Sequence, residues 1–364
     1  MEKTNHTCYI DGKQYSLSDV EKMGLKNFQF SAHIHPYHSI FRYYPNTKKY
    51  VKEEKKYRNF SLEALKNNTI YLQDAKNFDD CFDCAVDLEW DKFLFERVKT
   101  YCTYFKANSA SDNIGDMVYA LSLILFEFDT AEKCIEYFPA IEDKVQKLHF
   151  EVFIRDVFNK GLNQKEYRMH AIFSSIQKEY EEFKNCLSKF RITCFSTSAF
   201  LNRMWSSAYA DNNRGFCIEY EVDTSTETGN RLYENFYPVI YSEKRGDLFM
   251  LSKNDDKTPT EEDIWQMYFN GLLRKDIIWK DQQEWRLILY GNLLEQNPIP
   301  FYKIKKVYLG NRMPLKERKK IATYCRKNNI EYVGLERQPN SYNLVECKGD
   351  CYVCAKNKNI KPME

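Results

Sequence analysis

The sequence predicts an α+β fold interrupted by an all-helical insertion, and three observations carry that expectation. Short runs rich in aromatic and β-branched residues, the composition of strands, occur around residues 38–90 and again around 191–310. Between them, over 91–190, apolar residues recur every three or four positions with almost no Pro or Gly, which is the helical period. Beyond residue 310 a basic helical stretch lies between two short extended runs. The chain therefore divides into a lead (1–37), a first core part (38–90), a helical insertion (91–190), a second core part (191–310), a terminal helix-strand unit (311–336) and a Cys-containing tail (337–364).

Taken in order, Cys8-Tyr9-Ile10 has strand character and ends at the turn signal Asp11-Gly12. His33 to Tyr44 alternates apolar and polar residues and stops at Pro45-Asn46, as a strand carrying Arg42 near its end would. Ser61 is placed to cap a short helix through Lys66, with Glu63 in its first turn, and Thr69 to Leu72 reads as a brief strand. In the second core part the extended runs are Ile192 to Phe195, Gly215 to Tyr220, Pro238 to Tyr241 and Trp285 to Tyr290. Helices are expected over Asn202 to Ala210 and Thr260 to Arg274. Ile304–Leu309, the helix Leu315–Lys327 and Glu331-Tyr332-Val333 close the pattern.

Composition narrows the function. The 54 Lys and Arg nearly cancel 52 Asp and Glu, so no bulk charge drives the chain onto nucleic acid or an anionic membrane, although local patches can. No stretch approaches the roughly 20 apolar residues of a membrane helix, and the first residues lack the basic flank and apolar run of a secretory signal. A cytoplasmic location without membrane contact is expected, with most of the 12 cysteines reduced. No glycine-rich phosphate loop is present, which argues against Rossmann oxidoreductases and nucleoside triphosphatases.

Three separated segments place polar groups inside strand-like apolar runs: Phe41-Arg42-Tyr43-Tyr44, Cys194-Phe195-Ser196-Thr197-Ser198 and Gln282-Gln283-Glu284-Trp285-Arg286. An unpaired polar group there costs about 1–3 kcal/mol, so a ligand or a mutual partner must offset it. Together with Asn77-Phe78-Asp79-Asp80-Cys81-Phe82-Asp83, Met204 to Asp211 and Gly215 to Tyr220, these segments resemble the bacterial domain of unknown function 2971 family over residues 38–90 and 190–310. The sequence departs from that pattern at Cys81, where Pro is usual, and at Ala208. Arg42, Ser196-Thr197-Ser198 and Gln282-x-Glu284 also resemble, in the same chain order, the Arg, Ser-Thr-Ser and Gln/Glu-x-Glu motifs of the ADP-ribosyltransferase superfamily.

That second resemblance implies a split β-sheet core and an enzyme that cleaves NAD, passing ADP-ribose to a protein or nucleic-acid acceptor or to water, as a toxin or antiviral defence effector would. Glu284 would stabilise positive charge on the ribose, with Gln282 two residues away orienting the attacking group. Arg42 would clamp the pyrophosphate. Ser196, Thr197 and Ser198 would complete the NAD site, and Tyr43, Trp205 and Tyr209 would offer ring faces to nicotinamide or adenine.

Other readings of the same residues stand beside this one. Arg42 can pair with Glu284 or Glu219 and need no ligand, and Trp205 and Tyr209, four apart, can form the core stripe of a helix. Asp79, Asp80 and Asp83 read more simply as caps than as a metal site. His33, His35 and His38 read as exposed or core-satisfied imidazoles. Cys347, Cys351 and Cys354 have the spacing of zinc ligands, with a fourth available from Cys8, Cys325 or the Cys81-x-x-Cys84 pair, or they belong to a reduced flexible tail. The alternative function is a non-catalytic protein- or nucleic-acid-binding module with a structural zinc tail and a basic helix around Lys316 to Lys320.

Overall fold

The computed structural model describes residues 6–31, 39–78, 83–84, 89–137, 144–161, 167–185, 189–246, 265–291 and 294–348. It divides into two compact units. One is mixed (Met1–Asp83, Lys189–Lys244, Leu273–Glu364) and the other is helical (Cys84–Ser188, Arg245–Leu272).

The helical unit contains Trp90–Tyr104, Ile114–Leu125, Ala131–Tyr137, Lys144–Gly161 and Arg168–Lys184, the elements that the 3.6-residue period predicts. Asn113 caps the second of these by accepting from Gly115 N at 2.8 Å. Val98, Tyr101, Leu121, Phe153, Val157 and Ile172 belong to its core, with Tyr101 stacked on Phe153 at 3.9 Å between ring centroids. Residues Tyr268–Leu272 form a π-helical turn. The helix expected over Thr260 to Arg274 thus stops short, because Arg274 lies opposite Ile240 in a parallel strand pair. Residues 260–264 lie outside the described residues.

The mixed unit begins with a hairpin, β1 (Thr7–Ile10) and β2 (Lys13–Ser16), turning at Asp11-Gly12, where both residues take positive φ. An unanticipated helix, Leu17–Ser31, follows. Next come β3 (Ser39–Tyr44), the pair β4 (Lys49–Val51) and β5 (Lys56–Arg58), and a helix Phe60–Asn67 whose cap is Asn59, accepting from Leu62 N, rather than Ser61. Two short strands, β6 (Thr69–Ile70) and β7 (Gln73–Asp74), close the first part.

The second part supplies β8 (Phe190–Ser196), β9 (Phe216–Glu221), β10 (Phe236–Pro238), β11 (Ile240–Ser242), β12 (Arg274–Asp276) and β13 (Glu284–Tyr290). After these come β14 (Ile299–Pro300), β15 (Ile304–Leu309), β16 (Glu331–Arg337) and β17 (Leu344–Glu346). The main sheet has the order β10-β13-β8-β3-β9-β15-β16-β17, with β7 also paired to β8, and it is antiparallel except for β15 and β16. The terminal strand-helix-strand segment therefore extends this sheet rather than standing apart.

Alternation along the strands separates two cores. Ile40, Tyr44, Phe195, Ile218, Trp285 and Val307 pack on one face, beneath Leu62 and Leu65 of one helix and Ile321, Ala322 and Cys325 of Leu315–Lys327. Tyr43, Trp205, Cys217, Tyr308 and Val333 pack on the other. Full burial of each large aliphatic side chain here contributes about 1.5–3 kcal/mol.

Candidate functional site: a gap in the sheet edge

β8 is fully paired on one edge, where β13 matches it from Glu284↔Ser196 to Tyr290↔Phe190. On its other edge the pairing is broken. β3 touches β8 through the single pair Phe41↔Ser196, and β7 returns only at Gln73↔Ile192. Between them the edge at residues 193–195 carries no strand partner among the described residues, and β3 runs on to β9 instead, from Ser39↔Glu221 to Tyr44↔Phe216. Burying such an edge without partners would be costly, so an unpaired edge that is not on the outer surface needs either a solvated space or a ligand beside it. A cavity of about 630 Å³ occupies this gap, lined by all five residues from Ile192 to Ser196, by Phe41 to Tyr44, and by Tyr71, Tyr209, Lys275, Gln282 and Glu284. That volume lies within the range of small-molecule sites, roughly 300–1,000 Å³.

Two of the lining residues, Lys275 and Glu284, belong to a buried set of charges that Asp83 and Arg286 complete. Glu284 Oε2 accepts from Lys275 Nζ at 2.6 Å, and Glu284 Oε1 accepts from Arg286 Nε at 2.8 Å. Asp83 accepts from Arg286 Nη2 at 2.6 Å and lies 3.1 Å from Lys275 Nζ. Strand geometry explains half of this: Glu284 and Arg286 are two apart on β13 and emerge on the same face. Burial alone would raise the Glu284 pKa, but Arg286 and Lys275 outweigh it and hold the carboxyl well below its usual range. Burial likewise opposes the Lys275 charge, and Glu284 and Asp83 reverse that effect, raising its pKa. The Cys194 thiol bonds Glu284 and is pushed up, first by burial and then by that carboxylate. The Tyr241 hydroxyl accepts from Glu284 N at 2.9 Å and fixes the start of the strand.

Arg42 presents the complementary chemistry. Its Nη1 donates to Cys194 O on the open edge at 3.4 Å, and its guanidinium lies 5.4 Å from the Tyr44 ring centroid and 5.5 Å from that of Phe195. Neither Glu284 nor Glu219 pairs with it, contrary to the ligand-free reading. Glu219 is engaged by Lys305 at 2.7 Å, Tyr308 at 2.8 Å and Ser39 at 2.9 Å. The register gives the reason: Phe41, Ser196 and Glu284 stand in one row across the sheet, so Arg42, one residue on, projects from the opposite face. Among the described residues Arg42 has no carboxylate partner.

Of the residues singled out from sequence, Arg42, Tyr43, Ser196, Tyr209, Gln282 and Glu284 all line the cavity. Gln282 does so by a different route from the one expected. It ends the 3₁₀ helix Ile277–Gln282, and Gln283 follows in the left-handed region at φ 44°, so no extended segment joins Gln282 to Glu284. Thr197 and Ser198 do not line the cavity. The Thr197 hydroxyl bonds Gln283 Oε1 at 2.5 Å, and the Ser198 hydroxyl accepts from Phe200 N at 3.0 Å. Tyr43 offers little more than its edge, since its hydroxyl donates to Ser198 O at 2.8 Å and its ring meets Trp205 at 5.3 Å.

Trp205 is fully buried and donates to Ala199 O at 2.7 Å, so it has no ring face for a ligand. Tyr71, 59 % exposed, Tyr209, 39 % exposed, and Phe60, 48 % exposed, are lining rings that keep surface free. Lys275 and the pairing of Asp83 escaped the sequence reading. The Glu-x-Arg spacing of Glu284 and Arg286 on an apolar strand was the one signal for a buried ion pair, whereas nothing local marks Lys275.

Cys347 is buried in the apolar cluster with Tyr43 and Trp205, and Cys325 lies in the core on the other side of the sheet, so these two cannot share a metal. Cys8 is buried, its pKa pushed up to about 11 by that burial. Cys351, Cys354, Cys81, Asp79, Asp80, His33, His35 and His38 lie outside the described residues. Among the described residues no group of three or more His, Cys, Asp or Glu is placed to hold a metal, and no helix is long and apolar enough to cross a membrane.

Residues 204–287 match the model of the family described as "Protein of unknown function (DUF2971)", which supports the family resemblance. The matched segment includes the lining residues Met204, Tyr209, Lys275, Gln282 and Glu284, and of the buried charges it leaves out Asp83. Neither the curated proteins nor the solved structures gave a match.

Proposed function

We propose that the chain cleaves NAD at the bond between nicotinamide and ribose and passes ADP-ribose to a macromolecular acceptor or to water. The single observation that carries this reading is the gap between β3 and β8. There a guanidinium with no carboxylate partner among the described residues and a buried, ionised carboxylate face one cavity of nucleotide size. Arg42 would bind the pyrophosphate through its planar fork. Tyr71 and Tyr209 would flank the rings. Glu284, kept charged by Lys275 and Arg286, would stabilise the positive charge that builds on the ribose as the bond stretches.

In that step the C1′–N bond breaks and its electron pair leaves with nicotinamide, which becomes neutral. The acceptor oxygen or nitrogen bonds to C1′ and gives its proton to solvent, with no change of oxidation state. Gln282, beside Glu284 on the cavity wall, would orient the acceptor. Such a chain would fit the part of a cytoplasmic toxin or antiviral defence effector, the role that the superfamily resemblance implies.

One observation favours a second reading. Both Glu284 oxygens are engaged by cations, as they would be in a module that binds a ligand without cleaving it. Its cysteine tail would then hold zinc. Incubation with NAD labelled in its adenosine part, in the presence and absence of protein and nucleic-acid acceptors, separates the two. Label transferred to an acceptor, or freed as ADP-ribose, supports cleavage. Binding of a protein or nucleic-acid acceptor with no product from NAD, together with one equivalent of zinc by metal analysis, supports the module.

A further inference from the structure

Among the described residues the hairpin β4–β5 pairs with no other sheet, and it buries none of its six strand residues. An isolated two-stranded hairpin is marginal in water, and this one nonetheless carries Tyr50 and Tyr57 directly opposite each other, 52 % and 69 % exposed, with ring centroids 5.3 Å apart. The cross-strand contact helps to hold the hairpin together, but it leaves most of both ring faces in water and both hydroxyls without a partner among the described residues.

The charge around these rings is concentrated. Residues 47–60 hold six cations (Lys48, Lys49, Lys52, Lys55, Lys56 and Arg58) against Glu53 and Glu54, whereas the whole chain is only +2. Glu54 is already occupied by Lys56 at 2.8 Å and Arg58 at 2.6 Å. Lys48, Lys49, Lys52 and Lys55 are exposed and make no ion pair among the described residues. The surface is continuous with the cavity, because Thr47, Lys49, Phe60 and Tyr71 line it.

Exposed ring faces interleaved with unpaired lysines suit a polyanion whose repeating unit is a planar base on a phosphate. Bases in a duplex are stacked on one another and cannot use the rings. The geometry points to single-stranded nucleic acid as the partner of this hairpin, seated so that one nucleotide reaches the mouth of the cavity as the acceptor. The acceptor role rests on the proposed NAD cleavage, whereas the binding does not.

The test is fluorescence anisotropy of the full chain with labelled DNA and RNA single strands of about 15 nucleotides and with the matching duplex, without NAD. Tyr50→Leu/Tyr57→Leu keeps an apolar cross-strand pair but removes both ring faces, Tyr50→Phe/Tyr57→Phe keeps them, and Lys48→Gln/Lys52→Gln removes two charges. Single strands are expected to bind more tightly than duplex. The Leu pair should weaken binding about ten-fold or more and the Phe pair should retain it. The Gln pair should flatten the dependence of log K on log salt by roughly 0.7 per lysine lost. Equal affinity for duplex, unchanged affinity in the Leu pair, or no binding at all would overturn the inference. Nicotinamide release by a chain that binds no single strand removes this inference alone, and tight single-strand binding without release removes the proposed cleavage and with it the acceptor role, leaving the binding.

Discussion

Arg42 and Glu284 line one cavity although their side chains leave the sheet from opposite faces. Adjacent strands held in full register would have kept the two apart, with the body of the sheet between them. They share a cavity because β3 leaves β8 after a single residue pair and opens the edge from Thr193 to Phe195. The guanidinium, without a carboxylate partner among the described residues, and the ionised carboxylate thus face a common space without cancelling each other, as an anionic ligand with a reacting sugar requires.

Arg42→Gln should weaken binding of ADP-ribose at least ten-fold while costing about 1 kcal/mol or less of stability. The side chain makes one long hydrogen bond and two ring contacts but no ion pair among the described residues. Calorimetric titration alongside urea unfolding checks both halves. A large loss of stability would mean that Arg42 is a structural residue.

Lys275→Met should behave in the opposite way. It leaves Glu284 and Asp83 with Arg286 as their remaining close cation, and loss of one partner from a buried pair costs about 3–5 kcal/mol. Urea unfolding of the variant should show a correspondingly lower midpoint at an unchanged slope.

Acid should loosen the fold through the same group. The Glu284 carboxyl titrates at about 2 when folded, against a usual 4.5. Between those values the unfolded chain binds the extra proton, so the stability contributed by its ion pairs is complete above about pH 4.5 and is lost as pH falls toward 2. The expected loss is on the order of a few kcal/mol. Lys275, whose pKa is raised, contributes up to its usual 10.5 and loses that contribution only as pH rises through its folded value. Unfolding midpoints of the parent chain should fall more steeply between pH 5 and 3 than those of Glu284→Gln, which has no carboxyl to titrate.

Trp205→Phe should cost stability without touching ligand affinity. The indole nitrogen donates to Ala199 O at 2.7 Å inside a closed apolar cluster, and an orphaned buried carbonyl costs about 1–3 kcal/mol. An equal loss of nucleotide affinity would return Trp205 to the site.

Much of the architecture could be read from short-range chemistry. The aromatic and β-branched runs at 190–196, 216–221 and 284–290 are strands, the 3.6-residue period over 91–190 is helical, and Leu315–Lys327 is the basic helix that its spacing foretells. Arg42, Ser196, Gln282 and Glu284 do reach one cavity. Strand parity and pairing were beyond reach, because they depend on which residues meet across the sheet. Nothing in the sequence sets Glu284 opposite Ser196, turns Arg42 to the other face, or marks Lys275 as the partner of a carboxylate nine residues away. Gln283 illustrates the limit: one left-handed residue breaks the extended geometry that a Gln-x-Glu spacing suggests.

The most direct measurement of the central claim is the initial rate of nicotinamide release from saturating NAD by the parent chain and by Glu284→Gln and Arg42→Gln, each shown to be folded. The account predicts release by the parent, a kcat lowered about 100-fold or more with little change in KM for Glu284→Gln, and chiefly a raised KM for Arg42→Gln. No release by the parent, or a Glu284→Gln variant that turns over at the parental rate, would contradict it.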